Sequence, residues 1–331
     1  MSAYQMFDRT QLTLRPIAER ASEVRFRDVA IAPDRLDTGF SHPALPVLAE
    51  AIVEAKRLGA TVLLMFGGHV VKSGCSPVII EMMRRGFITH LATNGAGATY
   101  DFEFALCGET GEDIDGDSAA GRLGLWKEDG MLNDAVAAGA KENIGWGEAV
   151  GRYIWEHDFP GKENSILAMA YHLGIPCTVH IGIGCDTMHE LPNADGAAMG
   201  VCSLNDFLVY TQSITRLEGG VFLDFGSAVA GPEVYLKALA MARNVAHQHG
   251  ERIVHFHTAV FDVQNIQDAD NYSATPSKSD PRYYFRPWKT ILARTVADGG
   301  KSFYIRGHHD QTLPALAGLV FDAARQQEEK I

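Results

Sequence analysis

Short apolar runs that end in glycine and alternate with amphipathic helices constrain this chain more than any other feature of it. Residues 44 to 58, ALPVLAEAIVEAKRL, put Leu45, Leu48, Ile52, Val53 and Ala55 on one helical face; Gly59 ends the helix, and ATVLLMF follows as a fully apolar strand. SPVIIEMMRRG reads as the next helix, with Ser76 as cap and Pro77 in the first turn, and FITHLATNG follows as strand and turn. The step recurs as NSILAMAYHLG before PCTVHIGIG, and GGVFLDFGSAV leads into PEVYLKALAMARNVAHQHG. IVHFHTAVF and KSFYIRG supply two more strands. Strands joined by helical crossovers predict an α/β chain with a mostly parallel sheet and helices on both faces. Sheets of this kind bind ligands at the carboxyl ends of their strands, so the loops there carry the functional reading.

Three of those loops are rich in glycine: GGHVVKSG (67 to 74), TNGAGAT (93 to 99) and DFGSAVAGPE (224 to 233). Glycine lets a backbone turn tightly and approach a ligand closely. None of the three is the GxGxxG fingerprint, but three at successive strand ends fit a ligand the size of a nucleotide. A fourth loop, in VHIGIGCDTMHELPNADG, offers His180, Cys185, Asp186, His189, Glu190 and Asp195 as metal donors, although H-x4-C-x3-H is not a zinc spacing. His255 and His257 share one face of a strand and read as structural histidines.

Charge and composition narrow the function classes. A 331-residue chain with 46% hydrophobic residues can bury a large core. Its net charge of −12 argues against a nucleic acid or an anionic membrane as partner and suits a small cationic substrate. No run of about 18 apolar residues occurs, and MSAYQMFDRTQLTLRP lacks an apolar signal core, so a soluble, cytoplasmic protein is expected. Five scattered cysteines without CxxC spacing read as reduced thiols. The segment 101 to 117 carries seven acidic residues and no basic one, and 262 to 287 is a polar loop too long for a plain connector. That loop leads to RPWKTILA, where Lys289 follows Trp288. An amine in an aromatic, apolar setting can become a nucleophile near neutral pH.

The order of these pieces resembles deoxyhypusine synthase: VKSG, TNGAG, IGIGCD, DFGSAVAG, the His257-Thr258-Ala259 strand end and a late Trp-Lys before the last strand. The likeness runs from about residue 25 to 320, leaving 1 to 24 as an N-terminal extension of a single domain covering 1 to 331. It implies a Rossmann-like three-layer fold, homotetramers, and NAD bound in clefts between subunits. It also implies that a polyamine amine is oxidised by NAD and that its aminobutyl group passes through an imine on a lysine, here Lys289, to an acceptor amine. Matched residue by residue, NAD falls to Ser73, Gly74, Thr93, Asn94, Gly95, Gly97, Asp186, Gly226, Ser227, Thr258 and Ala259. Trp288 matches a substrate contact, and Asp101 and Glu103 stand in, from shifted positions, for the family's adjacent glutamates. The family's histidine is replaced within Gly231-Pro232-Glu233, which leaves Glu233 as the base. Asp262, Asp268, Asp270 and Asp280 match the acids that grip the polyamine. The competing readings are a metal-dependent hydrolase using His180, Cys185 and His189, and a non-catalytic NAD-binding oligomer.

Overall fold

Six of the predicted apolar runs lie side by side in one parallel sheet, with strand order β5-β3-β2-β6-β7-β8. The strands are β2 (Val62–Phe66), β3 (His90–Asn94), β5 (Cys177–His180), β6 (Val221–Phe225), β7 (His257–Asp262) and β8 (Lys301–Arg306). Two short strands, β1 (Val24–Arg25) and β4 (Glu109–Thr110), form a separate antiparallel pair. The computed structural model describes residues 3–266 and 277–329.

From the β2/β6 boundary the chain winds outward in both directions, first through β3 and β5, later through β7 and β8. That is the doubly wound order, and its reversal between β2 and β6 opens a crevice beyond their carboxyl ends. The alternation within β2 shows why both faces are covered. Val62, Leu64 and Phe66 belong to one core, packed by α1 (Ala44–Leu58), α2 (Ser76–Arg84), α3 (Gly95–Cys107), α4 (Gly130–Glu142), α5 (Trp146–Glu156) and α6 (Ile166–Leu173). Leu63 and Met65 belong to the other, with Tyr210 and Ile214 of α7 (Gly196–Ile214) and Tyr235 of α8 (Ala230–Gln248). The last helix, α9 (His309–Glu328), returns to the first face through Leu313, Leu316 and Val320. All five β2 side chains are at most 1% exposed, and each contributes about 1.5–3 kcal/mol through burial. The expected α/β three-layer, Rossmann-like architecture is the one found.

Boundaries moved where local chemistry differs from pattern. Gly59 and Gly174 end α1 and α6 with φ of 66° and 67°, a conformation that glycine adopts without strain. Ser76 is the first residue inside α2 and not its cap, which is Cys75. The run IVHFHTAVF starts four residues early, because β7 begins only at His257. Among the described residues no helix is long and apolar enough to cross a membrane, and all five cysteines are free.

Candidate active site

Two strand ends meet at the crevice. The Gly67 N–H donates to the Phe225 carbonyl at 2.9 Å, and any Cβ on Gly67 would lie 2.4 Å from the Gly226 carbonyl oxygen. Gly226 has φ of 65°, and a Cβ there would come within 2.6 Å of the His309 Nε2. Glycine is favoured at Gly67 by close backbone approach and at Gly226 by its positive φ and the His309 ring above it. The imidazole of His309, at the start of α9, lies directly over the end of β6.

Around this point gather polar groups that apolar strands rarely carry. Asp224, inside VFLDF, is fully buried; its Oδ1 accepts from the Ser227 N–H at 3.1 Å and its Oδ2 has no partner. Burial pushes its carboxyl well above the usual range, and Asp262 nearby adds to the rise. Ser227 Oγ in turn accepts from the Gly231 N–H at 2.9 Å, fixing the start of α8. The His309 Nδ1 is also unpartnered. Burial lowers the imidazole's affinity for a proton, an effect that Asp262 opposes and His69 reinforces. A neutral imidazole beside buried carboxylates can accept a proton.

The other glycine turn is closed on its own side chains. Asn94 Oδ1 caps the Gly97 N–H at 3.0 Å, and a Cβ on Gly97 would lie 2.0 Å from Thr93 Oγ1. Thr93 itself donates to the Phe66 carbonyl at 2.9 Å. Asp186 places its carboxyl group over Gly95, where a Cβ would come within 2.1 Å of the carboxyl carbon, and accepts from the backbone of Gly182 and Ala96. The positive end of α3 is therefore occupied by a carboxylate of the same chain, which would repel a phosphate. Burial raises the Asp186 carboxyl above its ordinary value.

Other predicted residues lie elsewhere. Thr258 and Ala259 are buried near the amino end of β7, where Thr258 Oγ1 meets Ser302 Oγ at 2.7 Å; the strand's carboxyl end offers Asp262 instead. Gly74, with φ of 76°, is explained by packing, since a Cβ there would lie 2.0 Å from the Val29 carbonyl; Ser73 ends the short helix Gly68–Lys72 beside it. Asp101 turns into the core. Its two oxygens accept from Ser165 Oγ at 2.6 Å and from the Ile166 and Leu167 N–H groups at 2.7 and 3.0 Å, so it anchors α6 and is not free for substrate. Trp288, 1% exposed, is a core residue in the second layer and not a surface on which substrate can rest.

Glu233 is held by Arg286 and Lys237, which keep its carboxyl below the usual range and make it a poor proton acceptor at neutral pH. Lys289 donates from Nζ to the Tyr283 hydroxyl at 3.0 Å and lies 4.2 Å from the centre of that ring. Asp280 pairs with Arg282 at 2.6 Å, and Asp268 and Asp270 lie outside the described residues. His180, Cys185 and His189 do not converge: His180 turns inward to Thr178 Oγ1 at 3.0 Å, whereas the His189 Nδ1 accepts from the Gly184 N–H at 3.2 Å. Among the described residues no three His, Cys, Asp or Glu side chains are grouped to hold a metal ion. His255 pairs with Glu218 at 2.7 Å.

A second group lies on the other side of the Gly67–Gly68 turn, where a Cβ on Gly68 would meet the Tyr100 ring at 2.9 Å. Tyr100, Glu103, Glu112, Asp186, Arg20 and Lys72 line a cavity of about 210 Å³. Arg20 Nη1 donates to Glu103 Oε1 at 2.5 Å inside the protein, and Glu103 also receives the Thr110 hydroxyl. Sequence reasoning singled out neither Arg20 nor Asp224. For Asp224 the signal was present, a lone acid in an apolar strand; for Arg20 none was.

No protein-family model matches the chain. A stretch of 101 residues is 43% identical to ornithine cyclodeaminase of Methanothermobacter thermautotrophicus, covering 28% of this chain and 25% of that protein. Among solved structures, AgrE in a ternary complex with ornithine and NAD+ superposes with a TM-score of 0.46 at 12% identity, over 88% of this chain and 34% of that one. A chain named as a deoxyhypusine synthase from Entamoeba histolytica gives 0.44 at 11%, over 87% and 90%. The chain spans about a quarter of its curated relative and a third of AgrE. The two structural likenesses are too loose to carry an argument about function.

Proposed function

We propose that the chain is an NAD-dependent enzyme acting on a small cationic amine, with the nucleotide in the crevice between β2 and β6. The observation that carries this reading is the crevice itself. Two strand ends approach closely at Gly67 and Gly226, and Asp262, at the carboxyl end of β7, supplies a carboxylate able to accept from ribose hydroxyls. The partial match to an ornithine cyclodeaminase favours amine chemistry. The acidic lining of the neighbouring cavity favours a cation.

When bound, the nicotinamide supplies a hydride acceptor for the carbon that bears the amine. His309 takes the proton released from the nitrogen, a role that its position over Gly226 and its neutral state suit and that Glu233, tied up by two cations, does not. Lys289 is the proposed nucleophile: its amine adds to the oxidised carbon and expels the rest of the polyamine as a free amine. The imine so formed passes to an acceptor amine that displaces the lysine and takes back the hydride, so that no net oxidation remains. The support for Lys289 is placement: the segment from Trp288 to Asp298 leads into the amino end of β8, so Lys289 starts that segment at the opposite, carboxyl side of the sheet. Tyr283 holds the amine there. The apolar stripe Val201, Leu204 and Leu208 on α7, with Met241 and Val245 on α8, stays exposed and supports assembly with further copies, which we take to be the homotetramer.

Incubation with NAD and spermidine followed by borohydride should leave an alkylamine mass on Lys289, and Lys289→Met should abolish it. NADH formation without any enzyme adduct would reject the lysine carrier. It would instead favour an NAD-dependent oxidation of the amine without a covalent enzyme carrier.

A further inference from the structure

α7 lacks what a solvated helix carries. It spans 19 residues, GAAMGVCSLNDFLVYTQSI, and its one charged side chain, Asp206, is buried. A helix at a protein surface ordinarily turns charged residues toward water. Here the outward positions are Val201, Leu204, Leu208 and Val209, 39 to 58% exposed and at helical spacing. α8 packs against α7 and runs the same way, from the carboxyl to the amino side of the sheet, so its exposed Met241 and Val245 stand at the Leu208 end. An apolar face of this kind marks a contact with another protein surface.

A second exposed apolar group lies next to it. Met6 and Phe7 are 79% and 76% exposed. The arm that bears them is pinned two residues later, where the Arg9 guanidinium donates to the His189, Leu191 and Ala194 carbonyls at 3.1, 2.9 and 2.9 Å. Ala194 lies just before Gly196, so the arm leaves the body at the amino end of α7. It cannot reach the far end of its own helix. Leu208 stands twelve residues beyond Gly196, about 18 Å along the axis, whereas two residues of extended backbone take Phe7 no more than about 7 Å from Arg9.

We propose that α7 and α8 form a twofold interface with a second copy of this chain, the two α7 helices antiparallel and crossing at Leu204, with Met6 and Phe7 of each copy laid over the partner's Leu208. A face without charge has no sign to complement, so it fits a copy of itself, and a twofold dimer is the commonest way for copies to meet. Leu204 is the most exposed of the stripe and sits near the middle of α7, so an axis there overlaps the greatest length of the two faces. The antiparallel order follows from the arm. Only that order brings the amino end of one α7, where Phe7 emerges, to the far end of the other. The area suffices: two helices about 28 Å long and about 10 Å apart present roughly 550 Å² per copy, which for two copies clears about 1,000 Å² before the arms add theirs. The pairing rests on the reading above that the chain assembles with further copies, and states how two of them meet.

The test is analytical sedimentation of the full chain and of variants at the axis. Leu204 faces the partner's Leu204, so Leu204→Asp and Leu204→Lys each set like charges against each other and should raise the dissociation constant at least about 100-fold. An equimolar mixture of the two variants should associate again, because across a twofold axis each Asp then meets a Lys. Phe7→Asp, which removes an apolar anchor of the arm, should weaken association about tenfold. Association left intact in both Leu204 variants, or a mixture that stays dissociated, overturns this pairing while leaving a homo-oligomer of another geometry. An unaltered chain that sediments as a monomer at about 100 µM overturns the pairing and the assembly together. Association in Phe7→Asp equal to that of the unaltered chain overturns the antiparallel order.

Discussion

Replacing His309 by glutamine is expected to lower kcat for amine oxidation by about 10²- to 10⁴-fold, the usual contribution of a positioned proton acceptor, with NAD affinity little changed. The expectation follows from where the ring sits. It covers Gly226 at the switch point, its Nδ1 is unpartnered, and the Asp262 carboxyl lies near enough to act on it. Burial lowers its proton affinity below the ordinary imidazole value, outweighing the carboxylates of Asp262 and Asp310, while His69 and His308 act in the same direction as burial. A base works in its neutral form, so turnover should hold as pH falls to about 6.5 and be lost only below that, as the lowered pKa is crossed. In the glutamine variant that acid limb should disappear from the residual activity. Retention of full kcat, or an acid limb that does not move, would remove His309 from the mechanism.

A second large effect is expected on stability, at Asp206 in α7. Its carboxyl group is fully buried and accepts from the Val179 N–H at 2.7 Å and the Gly147 N–H at 2.9 Å, with Trp146 adding a third backbone donor. It thereby fastens the start of α5 to the edge strand β5. Asp206→Ala would strand those N–H groups inside the protein at about 1–3 kcal/mol each. A loss of about 3–9 kcal/mol is a large share of a typical total of about 5–15. Thermal or denaturant unfolding should show it as a drop in Tm of about 6 °C or more, and a shift under about 2 °C would contradict the account. The carboxyl also carries a pH signature. Burial raises its pKa to about 7 despite the backbone donors. The native state thus holds a proton that the unfolded chain, near 3.8, releases; its contribution is complete below the unfolded value and is lost as pH rises through about 7. Asp206→Asn should flatten that part of the stability–pH curve.

The layout of the sheet could be read from the chain because its cause is local: apolar runs of strand length, amphipathic helices between them, and glycines at the ends. What each glycine makes room for could not be read. Gly95, Gly97, Gly74, Gly67 and Gly226 look the same in sequence, and each makes room for a group of its own chain: Asp186, Thr93, the Val29 carbonyl, the Gly226 carbonyl and the His309 ring. The Thr258-Ala259 pair lies elsewhere than expected because the strand starts four residues later than the pattern suggests, which puts the pair near the amino end of β7. Asp101 and Glu103 belonged to an acidic run that suggested a solvated, substrate-facing surface, yet α3 buries both, one as an anchor for α6 and the other as a partner for Arg20. Arg20 and Glu103 stand 83 positions apart, and His309 and Gly226 are joined only by the winding of the sheet. No pattern within a short window can report such meetings.

Calorimetric titration of NAD into the full chain tests the central claim most directly. The account predicts saturable binding of one nucleotide per chain, weakened by Asp262→Ala through loss of a carboxylate acceptor at the carboxyl end of β7. A folded protein that takes up no NAD at millimolar concentration would contradict it.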